Sequence, residues 1–285
     1  GVGTFANTSL VSGTVALSGN VYDYANATVV TTPLALGDIR RNVTANIGVT
    51  NTTVSNATYQ DNLNVLATAT NANLSFANPA DLAAGNSGNV VVTAANVGVL
   101  NTTISLGLTS KVLSGVITLT DTALTTQTVA LTGTAYDVAT ATLGSTTLAL
   151  GNVRTLATGN VGLTNTVLTG GNATYQDNLN VVATSTNAKL SFANPANLVA
   201  GNSGNVVVTA ASAGSLTGTA NLALTSKVLA GTTGLNDVAL AGQTVAVTGA
   251  AYDYGNAVIA DTTVAFGNIH LGSAVVTRNL SVANT

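Results

Sequence analysis

Apolar and polar residues alternate along much of this chain in short runs that turn residues separate. The alternation is clearest at residues 62–65 and 128–132. A period of two places successive side chains on opposite faces of a β-strand. Clusters rich in Asn, Gly, Pro and Asp, such as residues 78–81 and 85–88, favour turns between the runs. The pattern therefore predicts an all-β protein.

Seven strand-like runs fall within one stretch of the chain, residues 25–138. They lie at about 28–36, 43–51, 62–70, 73–76, 89–95, 103–113 and 128–134. Seven short strands at this spacing are typical of an immunoglobulin-like β-sandwich. We expect the Val-rich run 90–92 and its copy at 206–208 to be buried or paired, because such runs aggregate when exposed on a sheet edge.

The chain repeats itself with a period of about 115 residues. Residues 72–137 match residues 188–253 at a constant offset, and the block 56–65 recurs at 172–181. This period fits a whole sandwich domain and greatly exceeds a solenoid rung. We therefore predict tandem immunoglobulin-like domains with complete repeats at 25–138 and 139–254. Residues 1–24 would be the last strands of a preceding or shared repeat, and 255–285 the first strands of a further or shared one.

Charged residues are scarce and slightly acidic in balance. They make up 6% of the chain, with 7 bases, 10 acids and a net charge of −3. This balance gives no basic surface for a nucleic acid partner. No run of 18 apolar residues occurs, so we expect no membrane insertion within this segment. No signal-peptide pattern opens the chain, and we expect any such peptide to lie outside these residues.

Side chains that carry catalysis are equally scarce. The chain has no Cys and one His, His270. The side chains needed for nucleophilic catalysis based on Cys or His are therefore almost absent. His270 stands where the other repeats have Arg40 and Arg154, which we interpret as a solvated strand position. We expect no catalytic site, no enzyme activity and no organic cofactor.

Calcium is the one metal that the composition leaves open, because it prefers oxygen ligands. Asp23, Asp137 and Asp253 recur at equivalent positions and are the candidates. The alternative is that these side chains cap turns through hydrogen bonds to the backbone. The same positions carry a repeated Tyr-Asp pair, and we assign Tyr22, Tyr136 and Tyr252 with their aspartates to interdomain junctions.

Two kinds of covalent modification suit the sequence. N-glycosylation motifs occur at Asn7, Asn26, Asn42, Asn51, Asn56, Asn73, Asn101, Asn172 and Asn279. Lys111 and Lys227 occupy equivalent positions in a Thr-Ser-Lys-Val-Leu motif. An intramolecular isopeptide bond would need each lysine buried beside an Asn, with a nearby carboxylate as proton shuttle, whereas the alternative is an exposed, snorkelling lysine.

The opening of each unit resembles the choice-of-anchor D or ASH-like domains. The resemblance rests on Val264-Ala265-Phe266-Gly267-Asn268-Ile269, Gly272 and Asn284, with Leu36-Gly37, Leu150-Gly151, Asn51 and Asn165 in the other units. The Val-Gly step usual in that family is missing after Arg40 and Arg154. The resemblance implies an immunoglobulin-like, non-catalytic module of secreted bacterial surface proteins.

These features predict a structural component of an extracellular or cell-surface fibre, sheath or stalk, whose partners are copies of itself. The terminal strands would continue in a longer run of repeats or be completed by a neighbouring subunit through strand complementation. An adhesin that binds ligand with loops at one end of the sandwich is the alternative. An accessory domain of an enzyme is a third.

Overall fold

The computed structural model describes residues 3–6, 8–29 and 33–285. Within these residues, two one-turn 3-10 helices, Ala57–Tyr59 and Ala173–Tyr175, lie between strands. The chain divides into two compact units. The first unit is Gly1–Gly37 with Asn42–Thr134, and the second unit is Asp38–Arg41 with Ala135–Thr285. The all-β expectation is confirmed.

The strands of the first complete repeat follow the predicted runs closely. They are β1 Ala27–Val29, β2 Leu34–Arg40, β3 Thr44–Asn51, β4 Asn62–Thr68, β5 Leu74–Ala77, β6 Ser87–Ala94, β7 Gly98–Val99, β8 Thr102–Lys111, β9 Thr122–Ala123 and β10 Gln127–Tyr136. The predicted run at 28–36 is two strands, β1 and β2, which belong to different sheets. Pro33 immediately precedes β2, where a missing backbone N–H costs no ladder hydrogen bond.

The strands of the second repeat have the same order and nearly the same lengths. They are β11 Ala141–Leu143, β12 Thr147–Arg154, β13 Thr158–Asn165, β14 Asn178–Ser185, β15 Leu190–Ala193, β16 Ser203–Ala210, β17 Gly214–Ser215, β18 Gly218–Lys227, β19 Val238–Ala239 and β20 Gln243–Tyr252. Beyond them, β21 Ala257–Ile259 pairs antiparallel with β22 Val282–Asn284.

Each repeat folds into two sheets with the same strand order. In the first repeat, the sheets run β1-β3-β6-β5 and β2-β10-β8-β4, and in the second they run β11-β13-β16-β15 and β12-β20-β18-β14. When β1, β3, β4, β5, β6, β8 and β10 are lettered A to G in chain order, one sheet is A-B-E-D and the other contains G, F and C. This is the arrangement of an immunoglobulin sandwich. The early strand β12 pairs parallel to the last strand β20. The immunoglobulin-like fold class is therefore confirmed.

The core lies between the two sheets of each sandwich and is built by period-two alternation. In β8, Ile104, Leu106 and Leu108 are buried, and in β18 Leu222 and Leu224 are buried. The Val-rich strands β6 and β16 each lie between two neighbours and bury alternate valines, as predicted. Full burial of one such aliphatic side chain stabilises the fold by about 1.5–3 kcal/mol.

The segments that flank the complete repeats are largely solvent-exposed. Val15 and Leu17 are 85% and 94% exposed, and the described residues 8–22 lie outside every strand. Phe266 and Ile269 are 47% and 50% exposed. Among the described residues, no helix has the length and hydropathy needed to cross a membrane.

Candidate functional site

The inward-facing alternation of each sandwich ends in polar residues at one end of the core. In the first repeat, Asn51 follows Val49 by two positions, Asp61 precedes Leu63 by two, and Ser110 follows Leu108 by two. All three are buried, together with Gln60. We call this set of Asn51, Gln60, Asp61 and Ser110 the first polar cluster. The second polar cluster, in the second unit, consists of Asn165, Gln176, Asp177 and Ser226.

The asparagine of each cluster satisfies backbone groups from several strands and loops. In the second cluster, Asn165 Nδ2 donates to the carbonyls of Asp177 and Leu198, at 2.9 Å each. Its Oδ1 accepts from Thr140 N at 3.1 Å and from Gln176 Nε2 at 3.0 Å. These four bonds use the full capacity of one amide side chain. Asn51 makes the equivalent contacts in the first unit.

The serine of each cluster joins the backbone to the buried aspartate. Ser226 Oγ donates to Asp177 Oδ2 at 2.7 Å and accepts from Ala139 N at 2.8 Å. In the first cluster, Ser110 Oγ donates to Asp61 Oδ2 at 2.8 Å and accepts from Ala25 N at 2.9 Å. Each cluster therefore holds a carboxylate inside the protein at one end of the sandwich.

Two arginines supply positive charge to buried carboxylates of the second unit, Arg40 to Asp177 of the second polar cluster and Arg41 to Asp137 beside it. Arg40 Nη2 lies 2.8 Å from Asp177 Oδ2, and Arg41 Nε lies 2.9 Å from Asp137 Oδ1. Arg40 also donates to the carbonyls of Asp137 and Asn236, both at 3.3 Å. The Arg40 side chain is 21% exposed. The interpretation of this position as merely solvated was wrong for Arg40, because its guanidinium balances a carboxylate that water does not reach.

Burial and charge oppose each other at Asp137. Its side chain is almost fully buried, and burial raises the pKa of this carboxyl above its ordinary 3.8 although Arg41 and Arg40 act to lower it. The loss of hydration therefore outweighs the attraction of both guanidinium groups.

The repeated Tyr-Asp positions are not alike in their surroundings. The Tyr22 ring contacts Tyr59 edge to face, with 5.6 Å between centroids, and Tyr136 lies against Tyr175 at 5.9 Å. The third pair, Tyr252 and Asp253, is exposed. Their assignment to interdomain junctions stays a prediction.

The calcium candidates have protein partners of their own. Asp23 Oδ2 accepts a hydrogen bond from Ser55, and Asp137 is engaged by Arg41. Asp253 offers its backbone carbonyl to Arg154 Nη1 at 2.7 Å. In the part of the chain that the structure describes, no group of three or more His, Cys, Asp or Glu residues is placed to hold a metal ion.

The glycosylation motifs differ in accessibility. Asn26, Asn42, Asn56, Asn101, Asn172 and Asn279 are exposed, and Asn73 is partly buried. Asn51 is fully buried and its amide nitrogen donates to two carbonyls, so the folded chain leaves no space for a glycan there. Asn7 lies outside the described residues.

The two repeated lysines are in surface ion pairs. Lys111 Nζ lies 2.7 Å from Asp81 Oδ2, and Lys227 Nζ lies 3.0 Å from Asp237 Oδ2, with both lysines close to half-exposed. Hydrogen bonding to Lys111 lowers the pKa of Asp81 and raises that of the lysine. This exposure does not provide the buried lysine that isopeptide formation requires. His270 is also exposed.

The repeat of residues 56–65 at 172–181 indicated that Asp61 and Asp177 are equivalent, but the burial of both carboxylates at the end of the core was not predicted. The signal was present: extending the alternation by one step from Leu63, Leu108 and Val49 places Asp61, Ser110 and Asn51 on the inward face. The pairing of Asp177 with Arg40 had no such local signal.

No family model and no curated protein sequence matches this chain. Its fold resembles solved tandem-domain structures. These include a chimeric titin Z1Z2 (12% identity over 80% of this chain and 99% of that chain, TM-score 0.24) and the D00-D0 domain of intimin (10%, 77% and 98%, 0.31). Domains 4–9 of the surface layer protein SbsC match at 16% identity over 83% of this chain and 33% of that one, with a TM-score of 0.26. At these identities and scores, the likeness does not extend to function.

Proposed function

We propose that this chain is a non-catalytic structural module of an extracellular bacterial surface assembly, in which repeats join one another through β-strands. The choice-of-anchor D or ASH-like resemblance supports the surface role. The observation that carries the proposal is the pairing of β12 with β20, in which an early and a late strand of one repeat lie parallel in one sheet.

Copies of these two strands stand unpaired elsewhere in the chain. Residues 15–22 repeat the sequence of β20, and residues 263–269 repeat that of β12. The counterparts of Leu17 in the two complete repeats, Leu131 and Val247, are 1% and 0% exposed, whereas Leu17 is 94% exposed. An apolar strand with unpaired backbone groups is a template for pairing with another strand.

Composition favours the same role. With 6% charged residues, contacts between copies would desolvate few ionic groups. A surface of Thr and Asn can instead form hydrogen bonds across such a contact. The strand pair would be a repeat-to-repeat connection, and its two members would come from different copies or from successive repeats.

Light scattering and negative-stain electron microscopy of the purified chain test this proposal. Leu17→Asp places a charge where the counterparts of Leu17 are buried, and we expect it to abolish end-to-end association. Ser18→Asp is the matched control, because its counterparts Thr132 and Thr248 are exposed, and this variant should associate like the wild type. Monomeric wild-type protein at high concentration would contradict the proposal and favour the adhesin alternative.

A further inference from the structure

The first polar cluster contains a buried carboxylate without the cation that its counterpart has. Asp61 is 4% exposed, and its Oδ2 accepts from Ser110 Oγ at 2.8 Å. Its Oδ1 has no hydrogen-bond partner, as is also true of Oδ1 in Asp177, so the two carboxylates differ at Oδ2, where Asp177 meets Arg40. No Lys, Arg or His among the described residues forms an ion pair with it, whereas Arg40 pairs with Asp177. An unpaired charge in this position costs free energy of folding, which a positively charged partner would recover.

A pocket opens at this carboxylate in the first unit. It has a volume of about 250 Å³ and is lined by Tyr22, Tyr24, Asp61, Thr118, Leu119, Thr120 and Thr122. Thr120 occupies the sequence position of Asn236, whose carbonyl accepts from Arg40 in the second unit. The pocket therefore has the carboxylate and the matching loop position that together bind a guanidinium in the other copy.

We propose that the Asp61 pocket binds the guanidinium of an arginine at the end of a strand from another repeat, of the Leu-Gly-Asn-Val-Arg type seen at residues 150–154. The strand pairs with residues 15–22 in the parallel register of β12 with β20. In that register, Arg154 is opposite Tyr252, whose counterpart is Tyr22, a residue of the pocket wall. The strand supplies affinity through backbone hydrogen bonds, and the arginine selects the correct end of the sandwich.

This inference rests on the proposed strand pairing but adds a separate, chemically specific contact. A synthetic peptide of residues 147–155 serves as the probe, with binding to the full chain followed by isothermal titration calorimetry. A second peptide carries citrulline in place of Arg154, which keeps the shape and removes the charge. We expect the arginine peptide to bind at least about tenfold more tightly than the citrulline peptide.

Two protein variants locate the effect. Asp61→Asn should reduce that tenfold ratio to about one, whereas Asp81→Asn changes the net charge equally at the exposed Lys111 pair and should preserve the ratio. A peptide of residues 263–271, which carries His270 at the arginine position, tests a second copy of this chain as the occupant. Tighter binding of that peptide at pH 7 would overturn the assignment to arginine.

The outcomes separate the two proposals. Equal binding of the arginine and citrulline peptides, lost in Leu17→Asp, would overturn the guanidinium site and leave the strand pairing intact. Failure of every peptide to bind would overturn both. Because the citrulline comparison uses wild-type protein, it decides the question even if Asp61→Asn does not fold.

Discussion

Arg40 Nη2 lies 2.8 Å from Oδ2 of Asp177, a carboxylate whose side chain has no solvent-exposed surface. The hydroxyl of Ser226 donates to the same oxygen at 2.7 Å. This pair brings together a residue of β2 and the residue that immediately precedes β14. It therefore ties two distant parts of the sequence together within the second unit.

Removal of Arg40 should destabilise the second unit strongly. Arg40→Gln leaves Asp177 buried without a countercharge, and we expect a loss of about 3 kcal/mol in the free energy of unfolding. Arg154→Gln is the matched control, because Arg154 contacts a backbone carbonyl and the exposed Tyr254 ring at 4.7 Å. That variant should lose only about 0.5–1 kcal/mol. Urea denaturation measures both, and equal losses would show that the Asp177 pair contributes little.

The raised pKa of Asp137 predicts how stability depends on pH. Because the folded protein holds this proton more readily than the unfolded chain, its ionisation destabilises the fold above the raised pKa. The penalty disappears as the pH falls through that pKa towards the unfolded value of about 3.8. Asp137→Asn should therefore raise stability at pH 7 and have little effect near pH 3.

Asp237 provides a control of opposite sign. The pKa of Asp237 is lowered mainly by the hydrogen bond from the backbone N–H of Val228 and secondly by Lys227. The ionised carboxylate therefore stabilises the fold above the unfolded pKa, and this stabilisation is lost as the pH falls through the folded pKa. Asp237→Asn should slightly reduce stability at neutral pH, and this reduction should vanish in acid. Denaturation curves from pH 3 to 7 test both variants, and a neutral-pH loss in Asp137→Asn would refute the sign assigned here.

The buried amide of Asn165 should be essential to the second unit. Asn165→Ala removes the bonds that Asn165 makes to the Asp177 carbonyl and the Thr140 N–H. It also removes one of two bonds at the Leu198 carbonyl and at the Gln176 amide, which keep Leu179 N and the Thr166 carbonyl as partners. Each unsatisfied buried group costs about 1–3 kcal/mol, so we expect a loss of at least 3 kcal/mol. Asn180→Ala removes an exposed bond to Asn197 and should cost less than about 1 kcal/mol. Thermal denaturation followed by circular dichroism distinguishes the two, and similar melting temperatures would contradict the role of Asn165.

Gly249 should tolerate no side chain. Its φ is +148°, and a Cβ there would lie 2.6 Å from the carbonyl oxygen of Gly151 on the paired strand. Gly249→Ala should therefore destabilise the second unit by about 2 kcal/mol or more. Gly162→Ala, where the nearest atom is at 3.8 Å, is the control in the same unit.

Gly19 extends this prediction to assembly. It occupies the sequence position of Gly133 and Gly249, but a Cβ at Gly19 would meet nothing within 4 Å. Gly19→Ala should leave the melting temperature of the chain unchanged and weaken association, because the clash arises only once a strand pairs with residues 15–22. Sedimentation velocity measures the association, and undiminished assembly would argue against that pairing.

The strands, the repeat and the immunoglobulin-like class could all be predicted from the amino-acid pattern. Strand positions follow from local alternation, as at Asn62–Thr68, and turn residues set the boundaries between strands. The repeat of about 115 residues predicted that two domains share the same fold. The sheet change between β1 and β2 was not predicted, because a run of strand-forming residues does not specify which partner each half will find.

The roles of the polar residues at the end of each core became apparent from the folded arrangement of the chain. Asp61 and Asp177 belong to the same repeated block, yet Arg40 lies beside Asp177 alone. Sequence periodicity describes which face of a strand a residue occupies, whereas a charge pair depends on which distant element reaches that face. The balance between burial and attraction at Asp137 arises for the same reason, since desolvation depends on the whole surrounding fold.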